Sequence, residues 1–166
     1  MKNGKPSDVV DEMNQAWKRE RPDLDPSALG VVGRVIVLAQ HLERSVDSAL
    51  TPFGLSLGQF DILATLRRQG PEGKMTPTNL MKSVLLSSGG MTNRIDRLEQ
   101  NGLIRREEDP ADRRGVVVGL TKKGCELIDR ATEARFSEAM ESLPPLKREE
   151  MKNLAEYLRR WLLTFE

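Results

Sequence analysis

The chain has 166 residues, of which 38% are hydrophobic, 31% charged and 4% aromatic, with a formal net charge of +1. That size suits one domain with helical extensions and buries a core without staples; the longest apolar runs, such as Val35 to Ala39, are too short to cross a bilayer. The only cysteine, Cys125, excludes an internal disulfide framework, and the N-terminus lacks the apolar stretch of a secretory signal, so a reducing cytoplasm is expected.

Helical periodicity dominates the chain. Ser7 can cap a first helix from Asp8 to about Arg19, which Pro22 ends. Asp25 before Pro26 reads as an N-cap followed by proline at the first helical position. From there Leu29, Val32, Val35, Ile36, Ala39, Leu42 and Val46 trace one apolar face to about Leu50, and Thr51-Pro52-Phe53-Gly54 breaks the helix. Ser56 to Gln59 forms a capping box that opens a helix with Phe60, Ile62, Leu63 and Leu66 inward, and residues 69–73 form a loop. Thr76 and Pro77 repeat the cap-plus-proline signal for a short helix to about Val84. After a tight turn, Ser87 or Ser88 can cap a helix running through Met91, Ile95 and Leu98 to Asn101, with Gly102 as its stop. Leu103 to Arg106 and Val116 to Leu120 read as two strands joined into a hairpin by the polar turn 109–115. Thr121 caps a long helix through Leu127, Ile128, Ala131 and Phe136, which Pro144-Pro145 ends. A last helix places Met151, Leu154, Leu158, Trp161, Leu162 and Phe165 on one stripe.

The charge is unevenly distributed. Between Lys74 and Lys123 stand ten basic and six acidic residues, a basic centre within acidic flanks. The same stretch holds two short helices joined by a tight turn and followed by a hairpin, the order of a helix-turn-helix with a wing. In such a unit the N-terminal residues of the second helix meet base edges in the major groove. Met91, Ile95 and Leu98 point to the core, leaving Asn93, Asp96, Arg97 and Gln100 on the opposite face. Ser87, Ser88, Thr92, Asn93 and Arg97 carry the hydrogen-bonding groups that base edges and phosphates need. Arg113 and Arg114 at the hairpin tip suit a narrow minor groove. The pattern also admits a helical protein-interaction dimer whose winged helix reads no specific DNA.

Asp96-Arg97-Leu98-Glu99, Gly102-Leu103-Ile104, and the run from Asp109 through Asp112-Arg113-Arg114-Gly115 to Leu120-Thr121 closely resemble the MarR family. The resemblance covers the chain from about Leu29 to the end. It implies a mainly α fold: a winged helix-turn-helix with a small β-hairpin wing, and N- and C-terminal helices that form a dimerisation region. The expected organisation is 1–50 for N-terminal helices, 51–121 for the DNA-binding region and 122–166 for C-terminal dimerisation helices. It further implies a homodimer reading a pseudo-palindromic operator as a prokaryotic cytoplasmic regulator, nucleoid-associated when bound, with no cofactor and no membrane partner. Carried over by position, Arg114 is the wing arginine and Asp112 orients it, while Asn93 falls at a base-contacting position.

Arg94 sits beside the apolar stripe of the second helix and needs an acidic partner or an anion; Asp61 is a candidate partner. The segment around Trp17 resembles the extra first helix of the urate-responsive, PecS/HucR-like branch of that family. In that branch a tryptophan, an aspartate and a recognition-helix arginine form an effector site, and Trp17, Asp61 and Arg94 match these types in order. The resemblance therefore implies a repressor released by a small aromatic anion such as urate, although Asn79 stands where that branch is expected to carry an acidic residue. Cys125 and His41 stand without the partners a redox pair or metal site requires. The chain also lacks a histidine pair, a nucleophile elbow and a phosphate-cradling loop, so no enzyme is expected.

Overall fold

A computed structural model describes residues 6–70, 73–84, 90–110 and 112–166. The chain divides into two compact units, Met1–Ser48 and Ala49–Glu166.

The first unit is built from helix α1, Val9–Glu20, and most of α2, Ser27–Leu50. Asp8, rather than Ser7, is the N-cap of α1: its carboxylate accepts from the Val10 and Asp11 amides, and its own amide donates to the Asp11 carboxylate. A carboxylate is the stronger acceptor at a helix start, where the dipole also favours negative charge. Asp25 caps α2 through the Ser27 amide and hydroxyl. Two glycines let α1 lie close to α2. A Cβ at Gly33 would stand 3.3 Å from Val10 Cγ1, and one at Gly30 would stand 2.7 Å from Asn14 Nδ2. Arg34 of α2 reaches both Asp8 (2.9 Å) and Asp11 (2.5 Å) of α1.

The second unit opens with a 3-10 turn, Thr51–Phe53, which Gly54 ends in the left-handed region (φ 64°). Helix α3, Leu57–Arg68, has the expected Ser56–Gln59 capping box. Ile62, Leu63 and Leu66 are fully buried, whereas Phe60 is only half-buried. Helix α4, Pro77–Ser83, is capped by Thr76 through the Asn79 amide. Strands β2, Ile104–Asp109, and β3, Asp112–Leu120, form the expected hairpin, but both run further toward the tip than the apolar residues indicate. Residues 112–115, read as turn, are therefore strand, because ladder pairing continues past the last apolar residue to Asp109↔Asp112 with an irregularity at Glu108. A two-residue strand β1, Lys74–Met75, adds to the other edge of β3, giving the antiparallel order β1-β3-β2. Two residues are too few to carry an alternation signal, so the sequence by itself gives no sign of this strand.

Helices α6, Lys122–Glu141, and α7, Arg148–Leu162, complete the unit. Ile128 and Ala131 of α6 are buried, but Phe136 is 73% exposed. No residue of α7 is buried, and its stripe of Leu154, Leu158 and Leu162 faces outward with Phe165. No helix among the described residues is long and apolar enough to cross a membrane.

Candidate nucleic-acid interface

Helix α5, Met91–Gln100, carries the groups expected to read DNA. It begins without a side-chain cap. Gly90 holds the N-cap position in the left-handed region (φ 75°), a conformation that glycine adopts without a Cβ penalty. Ser87 and Ser88, proposed as caps and as DNA contacts, lie outside the described residues. Met91, Ile95 and Leu98 are buried against the core, which fixes the rotation of the helix about its axis. Thr92, Asn93, Arg97 and Gln100 consequently face solvent. Among the described residues, the Thr92, Asn93 and Arg97 side chains make no hydrogen bond or ion pair, so their polar groups are available to a ligand.

The two carboxylates on this helix are neutralised from the wing. Arg106 of β2 pairs with Asp96 (2.5 Å) and with Glu99, and its backbone amide donates to Glu99 Oε1 (3.2 Å). Hydrogen bonding to Asp96, then the charge of Glu99, holds the Arg106 guanidinium above its ordinary pKa. The arrangement does two things at once. It fixes the angle between helix and wing, and it cancels negative charge that would repel a phosphate backbone. The sequence reading did not single out Arg106. The available signal was an i, i+3 carboxylate pair on a helix meant to face a polyanion, a pair that needs a cation from elsewhere.

A glycine sets the far end of α5. Gly102 turns the chain (φ 67°) while its amide donates to Glu99 O (2.8 Å), and Leu103 donates back to Leu98 O (2.9 Å). Thr121 then locks α6 to this turn: its hydroxyl donates to Gly102 O (2.7 Å) and accepts from the Gly124 amide (3.0 Å). Lys123 Nζ donates to Asn101 O (2.9 Å). Gly124 packs directly on the Leu103 carbonyl, where an added Cβ would overlap the oxygen and lie 2.9 Å from the carbon.

Asp112 and the backbones of Arg113 and Arg114 sit at the start of β3, next to the hairpin tip; the side chains of the two arginines are outside the described residues. Asp112 is exposed. The three residues expected to meet an effector fall on three elements. Trp17 is on α1 and 48% exposed, Asp61 is buried on α3, and Arg94 is half-buried on α5. Arg94 lies across Gly58 of α3: a Cβ there would stand 2.7 Å from its Nε and 3.0 Å from its Cζ. Gly58 thus makes the space in which a recognition-helix cation runs along α3. No cluster of three potential metal ligands occurs among the described residues.

The MarR family model matches residues 55–116, from the start of α3 into the wing. The chain is 36% identical to the HTH-type transcriptional regulator PecS of Dickeya dadantii over 151 residues, covering 91% of each. It resembles the crystal structure of Sco3205, a MarR family transcriptional regulator from Streptomyces coelicolor, in complex with DNA. There the TM-score is 0.75 and the identity 27%, over 84% of this chain and 88% of that one. A mutant MarR from E. coli complexed with operator DNA superposes with a TM-score of 0.69 and 25% identity, covering 94% of this chain and 99% of that one. With the buried stripe and open polar face of α5, the wing clamped to it, and these likenesses along the chain, the protein belongs to the MarR family of DNA-binding transcriptional regulators.

Proposed function

We propose that the chain is a ligand-responsive repressor that binds a pseudo-palindromic operator as a homodimer and is released by a small aromatic anion such as urate. The observation that carries the DNA-binding part is the open face of α5, where Thr92, Asn93 and Arg97 stand exposed beside a wing held by Arg106. On this reading Ser87, Ser88, Thr92, Asn93 and Arg97 address the major groove, and Arg113 and Arg114, oriented by Asp112, the adjacent minor groove. Two-fold symmetry then sets half-sites about one helical turn apart, roughly 10 bp. The outward apolar stripe of α7 supports the homodimer, since a face of that kind is covered in a soluble protein.

For the effector we propose Trp17, Asp61 and Arg94: a ring to stack on a flat anion, a carboxylate and a guanidinium. What favours Arg94 is its place inside the recognition helix, where a ligand that moves it biases the reading head. The test is a gel-shift titration with the DNA upstream of this protein's own gene, with and without urate. Salt-sensitive specific binding that urate relieves is expected, with Arg94→Ala still binding DNA but no longer responding. A response unchanged in Arg94→Ala moves the effector to another site. The leading alternative is the concavity of about 490 Å³ between α3 and α6, whose walls include Phe60, Phe136, Arg67 and Arg135.

A further inference from the structure

At the base of the sheet, a cavity of about 270 Å³ opens where β1, β2, the end of β3 and the first turn of α6 meet. Its wall carries three cations, Lys74, Arg105 and Lys122, together with Thr121 and Cys125. Gly73 and Gly119 line it without side chains, and a Cβ on Gly119 would press on Lys74 Cγ at 3.1 Å. Lys74 and Arg105 share a single carboxylate, Glu107, whose acid form is disfavoured first by Lys74 and then by Arg105. Lys122 has no carboxylate partner among the described residues. Three positive charges against one negative leave the cavity with a net of two. The first turn of the 20-residue α6 adds the positive end of its dipole.

We propose that this cavity is a binding site for a small dianion, a phosphate monoester or a dicarboxylate, with Lys122 as the free cation and Lys74 and Arg105 as the paired wall. The site is remote from the tip of the wing. It sits at Gly119 and Leu120, at the opposite end of β3 from Asp112 beside the hairpin tip, roughly 26 Å along the strand at about 3.3 Å per residue. It is also independent of the proposed urate response, because none of Trp17, Asp61 and Arg94 lines it. Seating a dianion between Lys74 of β1, Arg105 of β2 and Lys122 of α6 would tie the three elements at the root of the wing together.

Cys125, the only thiol in the chain, lines the cavity and reports on it alone. The experiment measures alkylation of the purified dimer by iodoacetate and by iodoacetamide at one pH and one ionic strength, with a neutral cysteine peptide as baseline. Two uncompensated positive charges close to the thiol should raise the iodoacetate-to-iodoacetamide ratio about tenfold over the peptide. Inorganic phosphate and succinate are then tested as protectants against iodoacetamide, with chloride matching ionic strength so that simple screening is controlled. Saturable protection, lost in Lys122→Gln, is expected; protection by phosphate alone assigns a phosphate ester, and by succinate alone a dicarboxylate. A ratio equal to that of the peptide, or no protection by either anion, overturns the proposal. Protection by duplex DNA without protection by either small anion also overturns it, making the cavity part of the DNA contact.

Discussion

Replacing Gly124 by alanine tests the packing that sets the wing and recognition helix against the long C-terminal helix. In an ordinary helix interior this change stabilises by about 1 kcal/mol, because glycine has the larger conformational entropy to lose. Here the sign should reverse. The new Cβ would overlap Leu103 O, and with the carbonyl carbon at 2.9 Å the whole peptide unit must retreat. Opening the contact by about 1 Å or more is overpacking against backbone, which typically costs about 1–3 kcal/mol and occasionally more. It also strains the Thr121 bonds to Gly102 O (2.7 Å) and from Gly124 N (3.0 Å), and losing one such bond adds about 1 kcal/mol. Setting these against the helix-propensity gain leaves a net destabilisation of about 1–3 kcal/mol. For a chain of this size that corresponds to a fall in Tm of roughly 2–12 °C. Thermal unfolding followed by circular dichroism at fixed protein concentration reads the effect, with exposed Glu126→Ala on the same helix as the control. A Gly124→Ala protein as stable as the parent, or more so, would refute the close approach of α6 to the α5–β2 turn.

Arg114→Ala should weaken binding to every duplex tested and lower the slope of log K against log salt by about 1, as loss of one backbone or minor-groove cation requires. An unchanged slope would remove the wing from the contact. Arg106→Met should cost about 1 kcal/mol of stability or less, since its pairs are a third exposed, yet reduce operator affinity by a larger factor. The excess arises because Asp96 and Glu99 would then face phosphate unneutralised; an affinity loss no larger than the stability loss would argue against that role. Several carboxylates are held below their ordinary range: Asp8 first by the Asp11 amide, Asp129 first by Arg67, and Glu107 first by Lys74. A depressed folded pKa contributes stability that is complete above the unfolded value and is lost as pH falls through the folded one. Unfolding midpoints should therefore hold steady above about pH 5 and decline below about pH 4, with Asp129→Asn showing a shallower decline. An acid limb of the same steepness in Asp129→Asn would show that the Arg67 pair does not contribute.

Much of the architecture was legible in local chemistry. Caps and stops depend on one or two residues, so Ser56–Gln59, Thr76–Pro77, Gly102 and Thr121 each marked a boundary that the structure keeps. The period of Met91, Ile95 and Leu98 fixed which face of α5 is buried, and with it the open positions Thr92, Asn93 and Arg97. The motifs around Asp96 and Asp112 identified the family. What needed the fold were features made by residues distant in sequence. Strand β1 is two residues long and exists because β3 offers an edge to pair with, not because Lys74 and Met75 favour a strand. Arg106 became a clamp only once β2 lay beside α5, and Gly58 and Gly124 took on packing roles only once Arg94 and the Leu103 carbonyl occupied the space where a Cβ would go. The cation-lined cavity likewise assembles residues 73, 74, 105, 119 and 122 from three separate segments. Sequence encodes propensity and period locally, whereas close approach and charge compensation are set by which segments meet, and that is decided by the packing of the whole chain.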